Sequence, residues 1–236
     1  MLKTLIIIPV LNEEKNILPI HKRIKKYVHY KNDILFIDDD SKDGTQKMIM
    51  KIKKKFKNIK IMKRYKKIGI GSAHKDGLNW GYKKKYKIVV TLDCDGTHDP
   101  VHINKMIYLI NKNKYQIIST NRFLKKNSLK DWTVWRKFLT YFRHFLIVIM
   151  LGMKYDSSGA FRCYNISQIN PKDILRAESN SYSFFWESMF FLSKKYKIYE
   201  IPISLPGRLA GTSKMNLGHI TGALLYLIKF FLKNRF

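Results

Sequence analysis

Five short runs rich in β-branched and apolar residues alternate with longer amphipathic stretches through the first half of the chain, and this alternation restricts the fold more than any other feature. Lys3–Val10, Asp33–Asp38, Asn58–Met62, Tyr86–Leu92 and Gln116–Thr120 read as strands. Glu13–Tyr30, Thr45–Phe56, Ser72–Lys84 and Val101–Asn111 read as the helices between them, the last opened by Asp99-Pro100 as N-cap and first-turn proline. Strand–helix alternation predicts an α/β fold with a mostly parallel sheet covered on both faces. Ligands of such sheets bind beyond the carboxyl ends of the strands. With 236 residues, 45% of them hydrophobic, the chain can build one sizeable core, or a core and a small appendage. It carries no internal repeat and no low-complexity linker.

Two acidic clusters fall at predicted strand ends and so face one crevice. Asp93-Cys94-Asp95 follows the Tyr86–Leu92 run. Residues two apart on a strand share a face, so both carboxylates can reach one cation, and hard oxygen ligands suit Mg²⁺ or Mn²⁺ carrying a diphosphate. An acidic loop without metal is the plainer alternative. Asp38-Asp39-Asp40 places three like charges together, which is unfavourable unless a ligand, a cation or hydrogen-bond donors meet them; a solvated turn is the alternative. In Ile6–Glu14, a strand meets a proline stop and a polar helix start, with Asn12 as an N-cap or Glu13 aimed at a ligand. Gly69-Ile70-Gly71 opens a helix with small residues, which admits a phosphate or another segment, tight packing being the stronger reading. His98 is either a metal neighbour or a residue that orients its loop.

The formal net charge is +29, from 46 Lys and Arg against 17 Asp and Glu. The surplus favours an anionic partner, although the abundance of Lys, Ile and Asn throughout makes part of it a compositional background. The second half concentrates the signal. No acidic residue lies between Asp131 and Asp156, nor after Glu200, and both stretches mix aromatic and aliphatic residues with Lys and Arg. Such segments suit the surface of an anionic bilayer; two amphipathic helices packed on the sheet are the alternative. Phe145–Met153, the longest apolar run, is far short of the roughly 20 residues of a membrane span, and Lys229, Lys233 and Arg235 interrupt Leu217–Phe236. Two cysteines, Cys94 and Cys163, point to a reducing compartment, and the charged residues just after Val10 argue against a secretory leader.

Taken in order, these motifs resemble the family 2 glycosyltransferases, and most closely their dolichol- or polyprenol-phosphate mannose synthase branch. The likeness runs through Ile8-Pro9 and Asn12-Glu13, Ile37–Ser41 with Asp43-Gly44-Thr45, Gly69–Ala73, and Asp93–Pro100. It continues through Asn121-Arg122-Phe123, Trp135-Arg136, Asp156–Arg162, and Arg208 with Gly211–Met215. It implies a GT-A, Rossmann-like fold and an inverting transfer of a hexose from a nucleotide sugar, first of all mannose from GDP-mannose, to a polyprenyl or dolichyl phosphate. By resemblance, Pro9, Leu11, Glu13, Ile37, Asp38, Asp39, Cys94 and Thr97 belong to the donor site. Asp93 and Asp95 belong to the site of the metal, Mg²⁺ or Mn²⁺, and of the diphosphate. Asp95, Arg122, Arg136, Arg208 and Lys214 form the catalytic set, the basic residues gripping donor and acceptor phosphates.

The chain departs from the pattern at Leu11, where an aromatic residue is common beside the nucleobase, and at Thr97, where Gln or Ser is usual. It also lacks the C-terminal transmembrane helices of many relatives, which resembles the short branch needing an amphipathic anchor or a small membrane partner subunit. Residues 1–216 are therefore expected to form the catalytic domain and 217–236 an amphipathic helix, with the enzyme peripheral on the cytoplasmic face of a membrane.

A lipid phosphate is already an anionic nucleophile, so the chemistry needs in-line positioning and charge neutralisation, not a strong base. Arg122→Ala or Arg208→Ala should accordingly damage turnover more than folding. Glu187 reads as a contact to sugar hydroxyls or a helix-surface carboxylate, and Asp156 as ordering its loop or touching the acceptor. UDP-glucose as donor and a non-lipid glycan as acceptor are the alternatives within this chemistry. Nucleic-acid binding fits poorly, since the lysines are spread over every helix and the strand-end aspartates would repel a phosphate backbone.

Overall fold

The computed structural model describes residues 3–112, 114–211 and 217–234. Seven strands, β1 (Thr4–Val10), β2 (Asn32–Asp38), β3 (Ile59–Lys63), β4 (Ile88–Thr91), β5 (Ile117–Asn121), β6 (Arg162–Asn165) and β7 (Ile198–Pro202), form one sheet in the order β3-β2-β1-β4-β6-β5-β7. Only β6 runs against its neighbours. The helices are α1 (Glu14–Tyr27), α2 (Thr45–Lys55), α3 (Ile70–Lys83), α4 (His102–Asn111), α5 (Val134–Leu151), α6 (Pro171–Ile174), α7 (Ser183–Ser193) and α8 (Leu217–Asn234). Every predicted strand and helix of the first half is present. The difference at the end of α1 has a local cause: Val28 donates its N–H to the Ile24 carbonyl at 2.9 Å and then turns to extended backbone. Asp99 caps as expected, its Oδ1 accepting the Val101 N–H at 3.1 Å.

The period-2 pattern of the strands explains the two-sided burial. Ile6, Ile8, Ile34, Phe36 and Val90 face a core closed by α1, α2 and α4, through residues such as Ile17, Ile24, Ile49 and Ile107. Leu5, Ile7, Leu35, Ile37 and Val89 face the opposite core with Ala73, Leu78, Phe184 and Leu192. Gly77 lets α3 lie close to the sheet, since a Cβ there would come within 2.6 Å of Ile37 and 2.8 Å of Ile7. A third cluster joins α5, α7 and α8 through Ile147, Met189, Phe190, Leu227 and Phe230. The predicted C-terminal helix therefore packs against the body of the protein along one face.

β6 and β7 were not evident from the sequence. β6 has four residues and opens on Arg162, which is wholly buried. Its antiparallel run has a functional consequence. Thr91 and Ser119 both pair with Arg162, so the loop entering β6, residues 156–161, lies at the rim where β4 and β5 end.

Candidate active site

The carboxyl ends of β1, β2 and β4 open into a cleft of about 420 Å³. Pro9, Leu11, Glu13 and Asp39 line one side, Asp93, Cys94 and Asp95 the floor, and Asn180, Ser181 and Tyr182 the far wall. Two ties fix the first two strand ends to each other. Asn12, in left-handed backbone at φ 53°, accepts the Lys42 N–H on its Oδ1 at 2.8 Å, and its own N–H donates to Ser41 Oγ at 2.9 Å. Asn12 thus joins β1 to the loop after β2 and does not cap α1. Glu13 accepts from Asn16 Nδ2 at 2.6 Å, and its N–H donates to Thr45 Oγ1.

The aspartates after β2 have separate duties. Asp38 is fully buried; it accepts from the Ser41 N–H and hydroxyl and, at 2.5 Å, from Gln46 Nε2. It braces its turn and does not reach the cleft. Ile37, another expected donor residue, turns its side chain into the core beneath α3 for the reason of strand alternation. Asp39 does line the cleft. Arg64 holds it at 2.9 Å, and the N–H groups of Ile68 and Gly69 donate to it at 3.1 and 3.0 Å. Arg64 also donates to Ser72 Oγ at 2.6 Å. This buried arginine has no signal in the sequence, being one more cation in a lysine-rich stretch.

On the floor, Asp95 Oδ1 accepts the Thr97 N–H at 3.0 Å and the Thr97 hydroxyl at 2.6 Å, and Oδ2 pairs with Arg208 at 3.2 Å. Thr97 therefore acts through Asp95 and does not line the cleft. Burial pushes both carboxyls up. For Asp95, the Thr97 hydrogen bond and the charge of Arg208 outweigh burial and hold it below the ordinary range. Asp93 is left raised, by burial and by the charge of Asp95. Arg208 supplies one counter-charge at Asp95, and a divalent cation would supply the further charge that lets Asp93 ionise beside it. Among the described residues no group of three or more His, Cys, Asp and Glu is placed to hold a metal. The pair itself offers only carboxylate oxygens, the donor type that Mg²⁺ and Mn²⁺ prefer. His98 orients the loop: its Nδ1 accepts the Asp93 N–H at 2.9 Å, and its ring stacks on Phe161.

Arg208 is seated on this floor by its own segment. The Leu209 N–H donates to the Asp95 carbonyl at 2.9 Å, and Leu209 packs where a Cβ on Gly96 would come within 2.5 Å; Gly96 has φ 84°. Two further arginines extend the positive region. Arg122, at the end of β5, pairs with Asp156 at 2.6 Å, and its own N–H also donates to that carboxylate. Arg136, in the first turn of α5, stacks on Trp132 with 3.5 Å between its guanidinium carbon and the ring centre. Burial and the nearby charges of Arg208 and Arg122 push its pKa down. Arg143, which no motif in the sequence marks, is half-buried two turns further along α5 and donates to Ser158 Oγ at 2.8 Å. Burial and Arg122 push it down to about 10. Four guanidiniums gather here with Asp156 and Asp95 as their paired carboxylates, so the region suits a further anion. Lys214 lies outside the described residues.

Glu187 takes neither of its two readings, whereas the Gly69–Gly71 pair takes its stronger one, tight packing. Glu187 neither contacts the cleft nor lies on the surface: it is 1% exposed, and its oxygens accept the N–H groups of Glu178 and Ser179. The small residues at Gly69 and Gly71 admit protein and not phosphate, since Asn180 and Ser181 pack directly against them and the Gly71 N–H donates to the Asn180 carbonyl at 2.9 Å.

A parallel sheet with one reversed strand, carrying a carboxylate pair at the floor of a strand-end cleft, defines a GT-A-type, Rossmann-like fold. The Glycosyl transferase family 2 profile matches residues 5–195, and the chain belongs to that family of glycosyltransferases. It is 27% identical to a polyprenol monophosphomannose synthase of Mycolicibacterium smegmatis, over 99% of this chain and 88% of the relative. It is 26% identical to an undecaprenyl-phosphate mannosyltransferase of Micrococcus luteus, over 99% and 96%. A crystal structure of glucosyl-3-phosphoglycerate synthase from Mycobacterium tuberculosis, in complex with phosphoglyceric acid, superposes with a TM-score of 0.69 at 14% identity, covering 98% of this chain and 79% of that one. The last similarity is one of fold.

Proposed function

We propose that this glycosyltransferase moves a hexose, mannose in the first instance, from GDP-mannose to a polyprenyl phosphate with inversion at the anomeric carbon. The observation that carries the reading is the arginine group that continues from the carboxylate pair. A cleft that held only a nucleotide sugar has little use for Arg122, Arg136 and Arg143 beyond Arg208, whereas a second phosphate at the same reaction centre does. The relatives that align over nearly the whole chain carry names of the same chemistry.

In this reading Pro9, Leu11, Glu13 and Asp39 hold the nucleoside. Asp93 and Asp95 hold Mg²⁺ or Mn²⁺, which when bound offsets the charge developing on the departing nucleoside diphosphate. The chain's own contribution is placement. Arg122, fixed by Asp156, and Arg136, fixed on Trp132, present donors to the acceptor phosphate, and Arg208 bridges from Asp95 towards it. Holding two anions in line converts an encounter that repels into one that reacts.

The acceptor is a lipid, and the exposed face of α5 suits its setting. Trp135, Phe138, Phe142, Phe145 and Ile149 recur at intervals of three and four residues and are all exposed. On α8, Leu225, Ile228 and Leu232 repeat the pattern beside Lys229 and Lys233. No described helix is long and apolar enough to cross a membrane. We read both helices as lying on an anionic bilayer, on its cytoplasmic face, with residues 1–216 as the catalytic unit and 217–236 as an anchoring helix that a small membrane subunit can also engage. Leu11 at the nucleoside end favours keeping UDP-glucose as the second donor to test.

The test is transfer from GDP-mannose, with UDP-glucose in parallel, to a polyprenyl phosphate in detergent with Mg²⁺, with Asp95→Asn as control. Mannosyl transfer that disappears in the control is the expected result. Transfer to a soluble glycan, with the lipid left unreacted, overturns the acceptor.

A further inference from the structure

The far wall of the cleft, residues 178–182, has no regular secondary structure until α7 begins, yet it is held from three directions. From below, the Glu187 carboxylate accepts two consecutive backbone N–H groups, Glu178 at 2.7 Å and Ser179 at 2.9 Å. From α3, Lys75 Nζ donates to the carbonyls of Ala177 and Glu178 at 3.2 Å each, and the N–H groups of Gly71 and Ser72 donate to the Asn180 carbonyl. From α8, Tyr226 packs on Trp186, the neighbour of Glu187, with ring centres 5.6 Å apart and its hydroxyl close enough for the Glu187 carboxylate, after burial, to push its pKa up, and His219 meets the Tyr182 ring edge-on at 5.7 Å. The wall's residues Asn180, Ser181 and Tyr182 line the cleft opposite Asp93, Asp95 and Arg208. Tyr182 is close enough to Asp93 and Asp95 for their charges, after burial, to push its hydroxyl pKa up.

Glu187 holds two of the wall's backbone N–H groups from within α7. A carboxylate accepting two neighbouring N–H groups is a charge-assisted, two-point clamp on backbone orientation. A glutamine of the same size keeps one acceptor oxygen and turns an NH₂ against the other N–H, so it preserves packing while releasing one of the two points. The ion pair of Lys233 with Glu178, at 2.9 Å, is solvent-exposed and adds little.

We propose that Glu187 is the positioning residue of the donor pocket: it fixes the 178–182 wall against the carboxylate pair, and Tyr226 extends that brace to α8. The inference rests on reading the cleft as a nucleotide-sugar site. It makes donor affinity depend on a carboxylate that never touches the donor, and on the seating of a helix whose other face is apolar and exposed.

The experiment is calorimetric binding of GDP and of UDP, each with Mn²⁺, to the full chain in detergent, for the wild type, Glu187→Gln and Tyr226→Phe, followed by donor KM and kcat on the preferred sugar nucleotide. Glu187→Gln should raise the nucleotide Kd and the donor KM about tenfold and leave kcat at saturating donor within about twofold. Tyr226→Phe should raise Kd about threefold. A purely structural role would instead lower the active fraction, and so kcat, at unchanged KM. That result, or wild-type Kd in both variants, overturns the inference. Should Glu187→Gln fail to fold, Tyr226→Phe still decides through Kd. If the wild type binds neither nucleotide, the reading of the cleft itself falls, a different outcome from wild-type binding that the variants leave untouched.

Discussion

Arg122 and Arg208 look equivalent in the sequence, as two basic residues whose loss should spare folding, but the structure separates them. The Arg122 side chain is 8% exposed and is paired at 2.6 Å with Asp156, whose side chain is 1% exposed. Burial alone would raise the Asp156 pKa, but the Arg122 charge and its hydrogen bonds hold it below the ordinary carboxylate range. Arg122→Ala leaves that carboxylate buried with only the Arg122 N–H and the Ser158 hydroxyl as donors. Breaking a buried pair from one side costs about 3–5 kcal/mol. For a domain of this size each kcal/mol moves Tm by about 2–4 °C, which gives a fall of about 6–20 °C. The Arg208 side chain is 24% exposed and pairs with Asp95 at 3.2 Å, so Arg208→Ala should cost less, about 1 kcal/mol. Thermal denaturation followed by circular dichroism, with sugar transfer on the same preparations, separates the cases. Both variants lose transfer, but only Arg122→Ala melts early. The double variant Arg122→Ala, Asp156→Asn should recover part of the lost Tm, because no unpaired charge remains buried. An Arg122→Ala protein that melts within about 2 °C of the wild type would refute the reasoning.

Three further outcomes follow from particular groups. Asp95→Asn removes a carboxylate from the cation pair and should lower transfer by about 10²-fold or more, as expected for losing several kcal/mol of charge stabilisation; Mn²⁺ titration of the variant should show the weakened site directly. His74 is buried and neutral, its pKa pushed down from 6.5 to about 3 by burial and by Arg162 and His98. The unfolded chain takes up a proton near 6.5, so this contribution to stability is complete above that pH and is lost progressively as pH falls towards 3; about 2 kcal/mol should be gone by pH 5, read as a falling urea midpoint. Replacing Trp135, Phe138 and Phe145 together by serine should abolish co-sedimentation with anionic vesicles while Tm changes little, since all three are more than half exposed.

The first half of the chain was readable because its strands are buried on both faces. Ile6-Ile7-Ile8 and Ile34–Ile37 are continuous apolar runs, and Asp38-Asp39-Asp40 follows the second directly. The second half was not, because its elements are specified by partners distant in sequence. β6 begins with a charged residue whose terminal nitrogens donate to Ser157, Phe185 and Ser188 and which leaves no local trace of burial. Within the site, adjacency misled: Asp38 and Asp39 are neighbours, but strand alternation sends one into its turn and the other to the cleft. Glu187 shows the converse, a carboxylate on an aromatic helix whose duty is visible only once the 178–182 wall is placed beside it.

The carboxylates beside the arginine group bear on the identity of the acceptor. Asp156 is committed to Arg122 and Ser158, and its N–H donates to Glu200 at 2.8 Å. Glu200 accepts in addition from Asn121 at 2.9 Å. Glu187 is occupied by the cleft wall. An acceptor hydroxyl would require one of these groups to take its proton, and each already has protein donors on it. Burial does push the Glu200 carboxyl up, which would suit a base, but its oxygens face Asn121 and the Asp156 backbone. A phosphate acceptor arrives ionised and asks only for cations, which in the proposed reading Arg122, Arg136 and Arg208 would supply. Glu200→Gln should therefore keep most of the transfer to a lipid phosphate, within about tenfold at saturating substrates. A loss of 10³-fold or more, the size of a removed general base, would return the acceptor to a hydroxyl and the arginines to the donor alone.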